Sequence, residues 1–149
     1  GGHPSYLIMT SPDEFRCHVL SKNRLEWDIT WIPRTIRENL WRIYQQREEG
    51  DPIFQVDIRS LRKAFREATH KHVGRTLKLH DLRKVSITWL YVMGVPLEIA
   101  TLLNEGWKDL NTPRDHYLHM RRLLKREDKE AYRQRIPEWF KEGLEEYIG

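Results

Sequence analysis

Cysteine is nearly absent from this sequence: Cys17 is the single one among 149 residues. One thiol can neither close an internal disulfide nor supply the thiolates of a structural zinc site, so we expect a reducing compartment. Long apolar runs are also missing, since nothing approaches the ~18 consecutive residues of a membrane-spanning helix. Residues 6–9 are too short for the apolar part of a signal peptide. The sequence therefore predicts no disulfide framework and no membrane partner.

Three common catalytic motifs are absent as well. No Gly-x-x-x-x-Gly-Lys loop supports a nucleoside triphosphatase, and no Gly-x-Ser-x-Gly elbow supports an α/β hydrolase. The seven histidines never show the His-x-x-x-His spacing of a helical zinc metalloprotease. We predict neither a metal site nor any other cofactor.

Apolar and aromatic residues are sufficient for one packed core. Apolar residues make up 39% of the chain and aromatic residues 11%, with 32% charged residues and a mean hydropathy of −0.74. Disordered chains lack such large aromatic surfaces. The length fits one domain of ordinary size, so we interpret residues 1–149 as a single domain.

Positive charge is concentrated in one part of the chain. The net charge is only +4, but nine Lys or Arg residues fall between residues 59 and 84, opposed only by Glu67 and Asp81. Such a run is typical of a protein that binds a polyanion, although a solvated helix face has the same composition. The residues predicted to contact DNA backbone are Arg59, Arg62, Lys63, Arg66, Lys71, Arg75, Lys78 and Lys84.

Apolar periodicity and turn residues predict a mainly α fold with a small β-hairpin near its start (an α+β class). Residues 15–20 and 25–32 alternate as two strands, joined by a tight turn over residues 21–24 in which Asn23 can adopt positive φ. Pro33 then begins a helix. Its predicted apolar stripe contains Ile36, Leu40, Ile43 and Tyr44.

Six further helices are predicted, separated by loops and by glycine or proline. In the helix over residues 58–69, Ile58, Leu61 and Phe65 are predicted to face inward and the basic residues outward. Asp81 caps the second. Their predicted spans are residues 58–69, residues 81–92, a short helix from Pro96 to near Gly106, residues 114–125 after a Thr112-Pro113 start, and two C-terminal helices divided at residues 136–137.

A few polar and aromatic residues carry the candidate chemistry. His80 and Arg83 are three residues apart at a helix N-terminus, where both side chains and free backbone N–H groups suit an anion such as phosphate. Lys22 lies in the predicted hairpin turn, and Trp107 and Tyr117 follow further along the chain. Taken singly, each also fits a solvated surface residue or a core aromatic.

The order and spacing of these residues are more specific than the residues themselves. His80-Asp81-Leu82-Arg83 precedes Gly94-Val95-Pro96, then 24 residues separate Arg83 from Trp107 and 10 separate Trp107 from Tyr117. With Lys22 upstream, this order resembles the catalytic domain of tyrosine recombinases, the phage-type integrases. The resemblance covers nearly all of the chain. It implies a site-specific DNA recombinase of the kind that integrates viral genomes and other mobile elements.

The resemblance also implies a role for each residue. Tyr117 is the nucleophile that forms a 3′-phosphotyrosyl link, which stores the bond energy so that rejoining needs neither ATP nor metal. His80 is the base or proton shuttle, and Arg83 holds the non-bridging oxygens. Lys22 protonates the leaving 5′-oxygen. Trp107 replaces the commoner histidine and donates its indole N–H.

One family residue departs from the pattern. The family places its first catalytic arginine about twenty residues before the hairpin lysine, where this chain has His3. Either His3 is a true substitution, which we favour slightly, or the arginine lies upstream of Gly1. In either case, the resemblance implies that the chain is the C-terminal part of a longer integrase without its N-terminal core-binding domain. A catalytically impaired DNA-binding module stays open, as does a type IB topoisomerase-like or telomere-resolving relative.

The expected partners follow from the same resemblance. They are double-stranded DNA and further copies of the chain, as a dimer or tetramer on DNA, in the cytoplasm or nucleoid, or in the host cell for a viral protein. The segment 136–149 contains Trp139, Phe140, Leu144 and Ile148. These residues either dock on a neighbouring protomer, as the family's exchanged C-terminal helix does, or pack on their own domain.

Overall fold

The computed structural model describes residues 5–20, 26–29, 31–103 and 111–148. In this part of the chain it contains three strands and seven helices. The strands are β1 (Ser5–Met9), β2 (Phe15–Leu20) and β3 (Glu26–Ile29). The helices are α1 (Arg34–Gln46), α2 (Ile58–Val73), α3 (Asp81–Val92), α4 (Leu97–Leu103), α5 (Asn111–Leu123), α6 (Arg126–Arg135) and α7 (Glu138–Ile148). The prediction of a mainly helical protein with a small antiparallel sheet is confirmed.

The sheet has the order β1-β2-β3, and both pairs are antiparallel. Strands β2 and β3 are the predicted hairpin partners, with Cys17 opposite Ile29, but β3 ends at Ile29 rather than at residue 32. Strand β1 was not predicted: its short apolar run gives no alternation, and it pairs along β2 with Leu7 opposite Cys17. The predicted turn over residues 21–24 lies outside the described residues.

Helix α3 forms the centre of the hydrophobic core. Its residues Ile87 and Leu90 are fully buried, and they belong to one cluster with Ile136, Phe140 and Leu144 from the C-terminal part of the chain. The Phe140 ring meets the Trp89 ring edge-to-face at 5.0 Å between centroids. Because this mostly apolar helix is packed in the core, the residues at its two ends have fixed positions.

Helix α7 packs on its own domain in this single chain. Gly143 lies against Pro33 at the start of α1, and the Trp31 indole donates from Nε1 to the Gly143 carbonyl at 3.4 Å. Arg37 on α1 pairs with Glu146 at 3.3 Å and with Asp13 at 3.2 Å, so it joins α7 to the β1–β2 connection. Of the four residues predicted to dock, Phe140 and Leu144 are buried, Trp139 is half-buried and Ile148 is exposed. Exchange of this helix between protomers stays a prediction.

The predicted inward face of α2 is wrong. Ile58 and Leu61 are 50% and 43% exposed, Phe65 is half-buried, and Thr69 is the buried residue of this helix. The apolar periodicity correctly marks one face of a helix, but periodicity does not show that another element covers that face. The helix also runs one turn further than predicted, to Val73, and is followed by Gly74, whose φ of 82° is the left-handed conformation that favours glycine.

Other helix boundaries agree more closely with the sequence. Helix α3 spans the predicted residues, Gly94 follows it with φ 79°, and the division between α6 and α7 falls at Ile136-Pro137. Helix α5 differs, since it begins at Asn111 and ends at Leu123. Thr112 and Pro113 therefore lie inside the first turn, where proline loses no hydrogen bond because the first N–H groups of a helix have no intrahelical partner.

Candidate active site

His80 and Arg83 lie together at the N-terminus of α3. The Arg83 N–H donates to the His80 carbonyl at 3.1 Å, so the two residues are one turn apart. His80 is exposed and Arg83 is half-buried, and burial lowers the pKa of the Arg83 guanidinium from its ordinary value. The predicted free backbone donors are not found, because the first three N–H groups of α3 already donate to the Lys78, Leu79 and His80 carbonyls. The positive end of the helix dipole also lies here. What this end of α3 offers a phosphate group is therefore the two side chains and the helix dipole.

The predicted capping role of Asp81 is not what the structure has. His80 occupies the cap position, and Asp81 is the first helical residue. The Asp81 carboxylate instead accepts from the Lys78 N–H at 2.8 Å, which closes a turn just before the helix. An acidic residue in the first turn still interacts favourably with the helix dipole.

Tyr117 lies on α5 with its hydroxyl engaged in the protein. The hydroxyl donates to the Val95 carbonyl at 2.9 Å, and the ring meets the Tyr91 ring edge-to-face at 5.0 Å. Burial raises the pKa of Tyr117 well above its ordinary value, and Tyr91 and Glu98 raise it further. The phenol is therefore held in its neutral form where it rests.

The Val95 carbonyl that holds Tyr117 belongs to the predicted Gly-Val turn. Gly94 adopts positive φ, and the Val95 N–H donates to the Leu90 carbonyl at 3.0 Å, which reverses the chain after α3. The turn and Tyr117 are thus brought together. His80 and Arg83, by contrast, lie at the opposite end of α3: Arg83 and Tyr91 are eight residues apart, or about 12 Å along the helix axis.

The remaining predicted catalytic residues are His3, Lys22 and Trp107. All three lie outside the described residues. The structure therefore describes three of the six predicted catalytic residues, His80, Arg83 and Tyr117, and brings together two of these at one end of α3.

The predicted DNA-contacting residues form an exposed basic surface. Arg59, Arg62, Lys63 and Arg66 lie on one face of α2, because their spacing of three and four residues matches the helical repeat. The others lie at the end of α2, in the connection to α3 and on its first turn. All eight are exposed: Arg59, Arg62, Lys63, Arg66, Lys71, Arg75, Lys78 and Lys84. We call this set the basic surface.

Sequence reasoning missed a polar contact beside Tyr117. The His116 ring nitrogen Nε2 lies 2.9 Å from Thr88 Oγ1, and the Thr88 hydroxyl donates to the Lys84 carbonyl at 2.7 Å. Burial lowers the pKa of His116, as do the positive charges of His119 and Lys84. The sequence carries one signal for this residue, because His116 immediately precedes the predicted nucleophile Tyr117.

Comparison with protein-family models, with curated proteins and with solved structures finds no match. Across the described ranges, no cluster of three or more His, Cys, Asp or Glu side chains could hold a metal ion. No helix in those ranges is long and apolar enough to cross a membrane. The functional assignment accordingly rests on the residues and contacts of this chain.

Proposed function

We propose that this chain is the catalytic domain of a tyrosine recombinase, which breaks and rejoins DNA through a 3′-phosphotyrosyl intermediate. The observation that carries the proposal is the direct packing of the Tyr117-bearing helix α5 on α3, the helix that begins with His80 and Arg83. The motif residues that the structure describes, namely His80 with Arg83, the Gly94-Val95 turn and Tyr117, are then parts of one packed unit. The basic surface adds support, because it lies on α2 and the segment that leads into α3.

The reaction is a transfer of one phosphodiester bond. The Tyr117 oxygen attacks phosphorus and loses its proton, with His80 as the base or proton shuttle. The bond from phosphorus to the 5′-oxygen breaks, and the resemblance assigns protonation of that oxygen to Lys22. Arg83 stabilises the charge on the non-bridging oxygens. Attack of a 5′-hydroxyl on the phosphotyrosine then reverses these steps, with no net change in the number of bonds.

Cleavage requires Tyr117 to leave its resting position. Its hydroxyl is engaged with the Val95 carbonyl, and the low polarity there opposes ionisation. The ring of Tyr117 packs beside Tyr91, about 12 Å along the axis of α3 from Arg83. We therefore interpret the structure as the resting arrangement, from which α5 shifts when DNA occupies the site.

A second candidate is a DNA-binding module of the same fold that does not cleave. Two observations favour it: the hydrogen bond that holds the Tyr117 hydroxyl at Val95, and the spacing along α3 between Arg83 and Tyr91, the residue on which Tyr117 packs. His3 at the expected arginine position supports the same candidate, because a neutral imidazole replaces a bidentate cation. A covalent protein–DNA adduct separates the two candidates.

The test uses nicked duplexes with randomised sequence on both sides of the nick, because the target site is unidentified. Cleavage near the nick releases a short fragment and traps the adduct, which is detected on a denaturing gel. We expect an adduct with the wild-type chain and none with Tyr117→Phe, which keeps the ring but lacks the attacking oxygen. Tyr91→Phe is the matched control, because it changes the neighbouring ring in the same way, and it should retain the adduct.

Three results would decide against this assignment. An adduct with Tyr117→Phe would mean that another tyrosine attacks. A wild-type chain that binds the duplex pool without forming any adduct would support the non-cleaving module. Relaxation of supercoiled DNA without strand exchange between two sites would favour the topoisomerase-like relative.

A further inference from the structure

A buried hydrogen bond joins α5 to α3 beside the candidate nucleophile. Thr88 on α3 is only 8% exposed, and its Oγ1 lies 2.9 Å from Nε2 of His116 on α5. The Thr88 hydroxyl donates its proton to the Lys84 carbonyl at 2.7 Å. Since a hydroxyl has one proton, Thr88 must accept from His116, and His116 must carry its proton on Nε2.

This hydrogen bond restricts how α5 can lie on α3. The neighbouring contact between the Tyr117 and Tyr91 rings is apolar and tolerates small sliding movements of the helix. The hydrogen bond from His116 is directional and weakens steeply away from a straight geometry. Consecutive helical residues differ by about 100° in direction. A fixed direction for the His116 side chain therefore also fixes the direction of the Tyr117 side chain.

Breaking the contact leaves a polar atom without a partner in the interface. Thr88 already donates its proton to Lys84 within α3. Without His116, the buried Thr88 oxygen therefore loses the donor from which it accepts. The half-buried His116 would also lose the partner of its Nε2 proton. Both costs favour one axial and rotational position of α5 over its neighbours.

We propose that His116 is a positioning residue, which holds α5, and with it the Tyr117 hydroxyl, in the resting position on α3 by donating to Thr88. This inference rests on the proposed function, because it concerns how the nucleophile is placed. It assigns to His116 no contact with DNA or with the reacting phosphate. Its substrate class is that of the proposed reaction, a DNA phosphodiester.

The variants separate the hydrogen bond from simple packing. Thr88→Val removes the acceptor but keeps the shape of the side chain, whereas Thr88→Ser keeps the hydroxyl. His116→Ala removes the donor, and His116→Gln retains an N–H group at similar reach. His119→Ala is the matched control, because His119 lies on the same helix, is exposed and carries the same side chain.

The first measurement is the single-turnover rate of adduct formation on the nicked duplexes at saturating protein. We expect Thr88→Val and His116→Ala to raise this rate about two- to tenfold without weakening DNA binding, because the shift of α5 no longer has to break this hydrogen bond. Thr88→Ser and His116→Gln should stay close to the wild-type rate, and His119→Ala should be unaffected. Equal rates for Thr88→Val and Thr88→Ser would overturn the proposal.

The second measurement does not need catalysis. Ionisation of Tyr117 is followed by absorbance as the difference between each variant and the same variant with Tyr117→Phe. We expect Thr88→Val to lower the pKa of Tyr117 toward its ordinary value, because the hydroxyl loosens from Val95, and Thr88→Ser to leave it unchanged. An unchanged titration in Thr88→Val would overturn the proposal. If the wild type forms no adduct, the proposed function fails, and this titration alone decides the role of His116.

Discussion

Gly143 is a position where a single methyl group should separate α7 from α1. A Cβ at Gly143 would lie 2.7 Å from the Pro33 Cβ and 3.1 Å from the Pro33 Cα. Neither atom belongs to a flexible side chain, so the helices themselves must move apart. The carbonyl of the same glycine accepts from the indole of Trp31, which lies in the segment just before α1. Gly143→Ala therefore disturbs a helix contact and a hydrogen bond together.

Gly143→Ala changes the free energy of unfolding through contributions of opposite sign. Alanine is the better helix former, which favours the variant by up to about 1 kcal/mol. Overpacking against a rigid neighbour costs about 1–3 kcal/mol, and loss of the Trp31 hydrogen bond costs about 0.5–1.5 kcal/mol. We expect Gly143→Ala to lower the free energy of unfolding by roughly 2 kcal/mol.

Urea unfolding followed by circular dichroism measures this change. Glu145→Ala is the matched control, because it places alanine on an exposed position of the same helix and should change stability by less than about 0.5 kcal/mol. The indole N–H resonance of Trp31 reports on the local contact and should shift in Gly143→Ala alone. A variant as stable as the wild type, with this resonance unmoved, would refute the close approach of α7 to Pro33.

The other predictions concern Tyr117, α2 and DNA. Above pH ~10 an unfolded tyrosine ionises while folded Tyr117 keeps its proton, so wild-type stability in urea should fall from pH 9 to 11 more than that of Tyr117→Phe. Thr69→Val should lower the free energy of unfolding in urea by about 1–3 kcal/mol, because the Leu77 N–H then loses Thr69 Oγ1, which accepts from it at 3.0 Å. Thr69→Ser keeps this acceptor and should be close to the wild type. DNA affinity should fall with salt at a log–log slope of about −3.6 for four phosphate contacts, and alanine at both Arg62 and Arg66 should reduce the slope by about 1.8; an unchanged slope would remove α2 from the interface.

The sequence predicted helices well where their limits depend on local chemistry. Gly94 ends α3 and Pro137 separates α6 from α7, because both residues interrupt helical hydrogen bonding whatever surrounds them. Strand β1 could not be found in this way. A short run of apolar residues fits a strand or a buried helix equally, and its pairing with β2 across a short connection decides between them.

The burial of side chains and the hydrogen bonding of the Tyr117 hydroxyl were harder to predict than the type of each element. Amphipathic helices usually cover a core, so the apolar stripe of α2 predicts that Ile58 and Leu61 face inward. Both are exposed, because apolar periodicity does not identify an element that would cover this face. For the candidate site, residue spacing could place Tyr117 on a helix near the Gly-Val turn. It could not show that the hydroxyl would bond to Val95, because that contact depends on how α5 packs on α3.

Under the proposed function, DNA displaces the resting contact of Tyr117, and the strength of that contact sets what the displacement costs. A hydrogen bond such as that to Val95 contributes about 0.5–1.5 kcal/mol net, which corresponds to roughly a two- to thirteenfold preference for the resting position. Any ligand that interacts with the released hydroxyl or with a shifted α5 more favourably by this amount reverses the preference. A scissile phosphate bound beside Arg83 supplies a charged partner that Val95 does not. Ionisation is the larger obstacle, because the phenolate is disfavoured by burial, by Tyr91 and by Glu98 as long as the ring stays in place. Movement must therefore precede loss of the proton, and a base at His80 can act only after α5 has shifted.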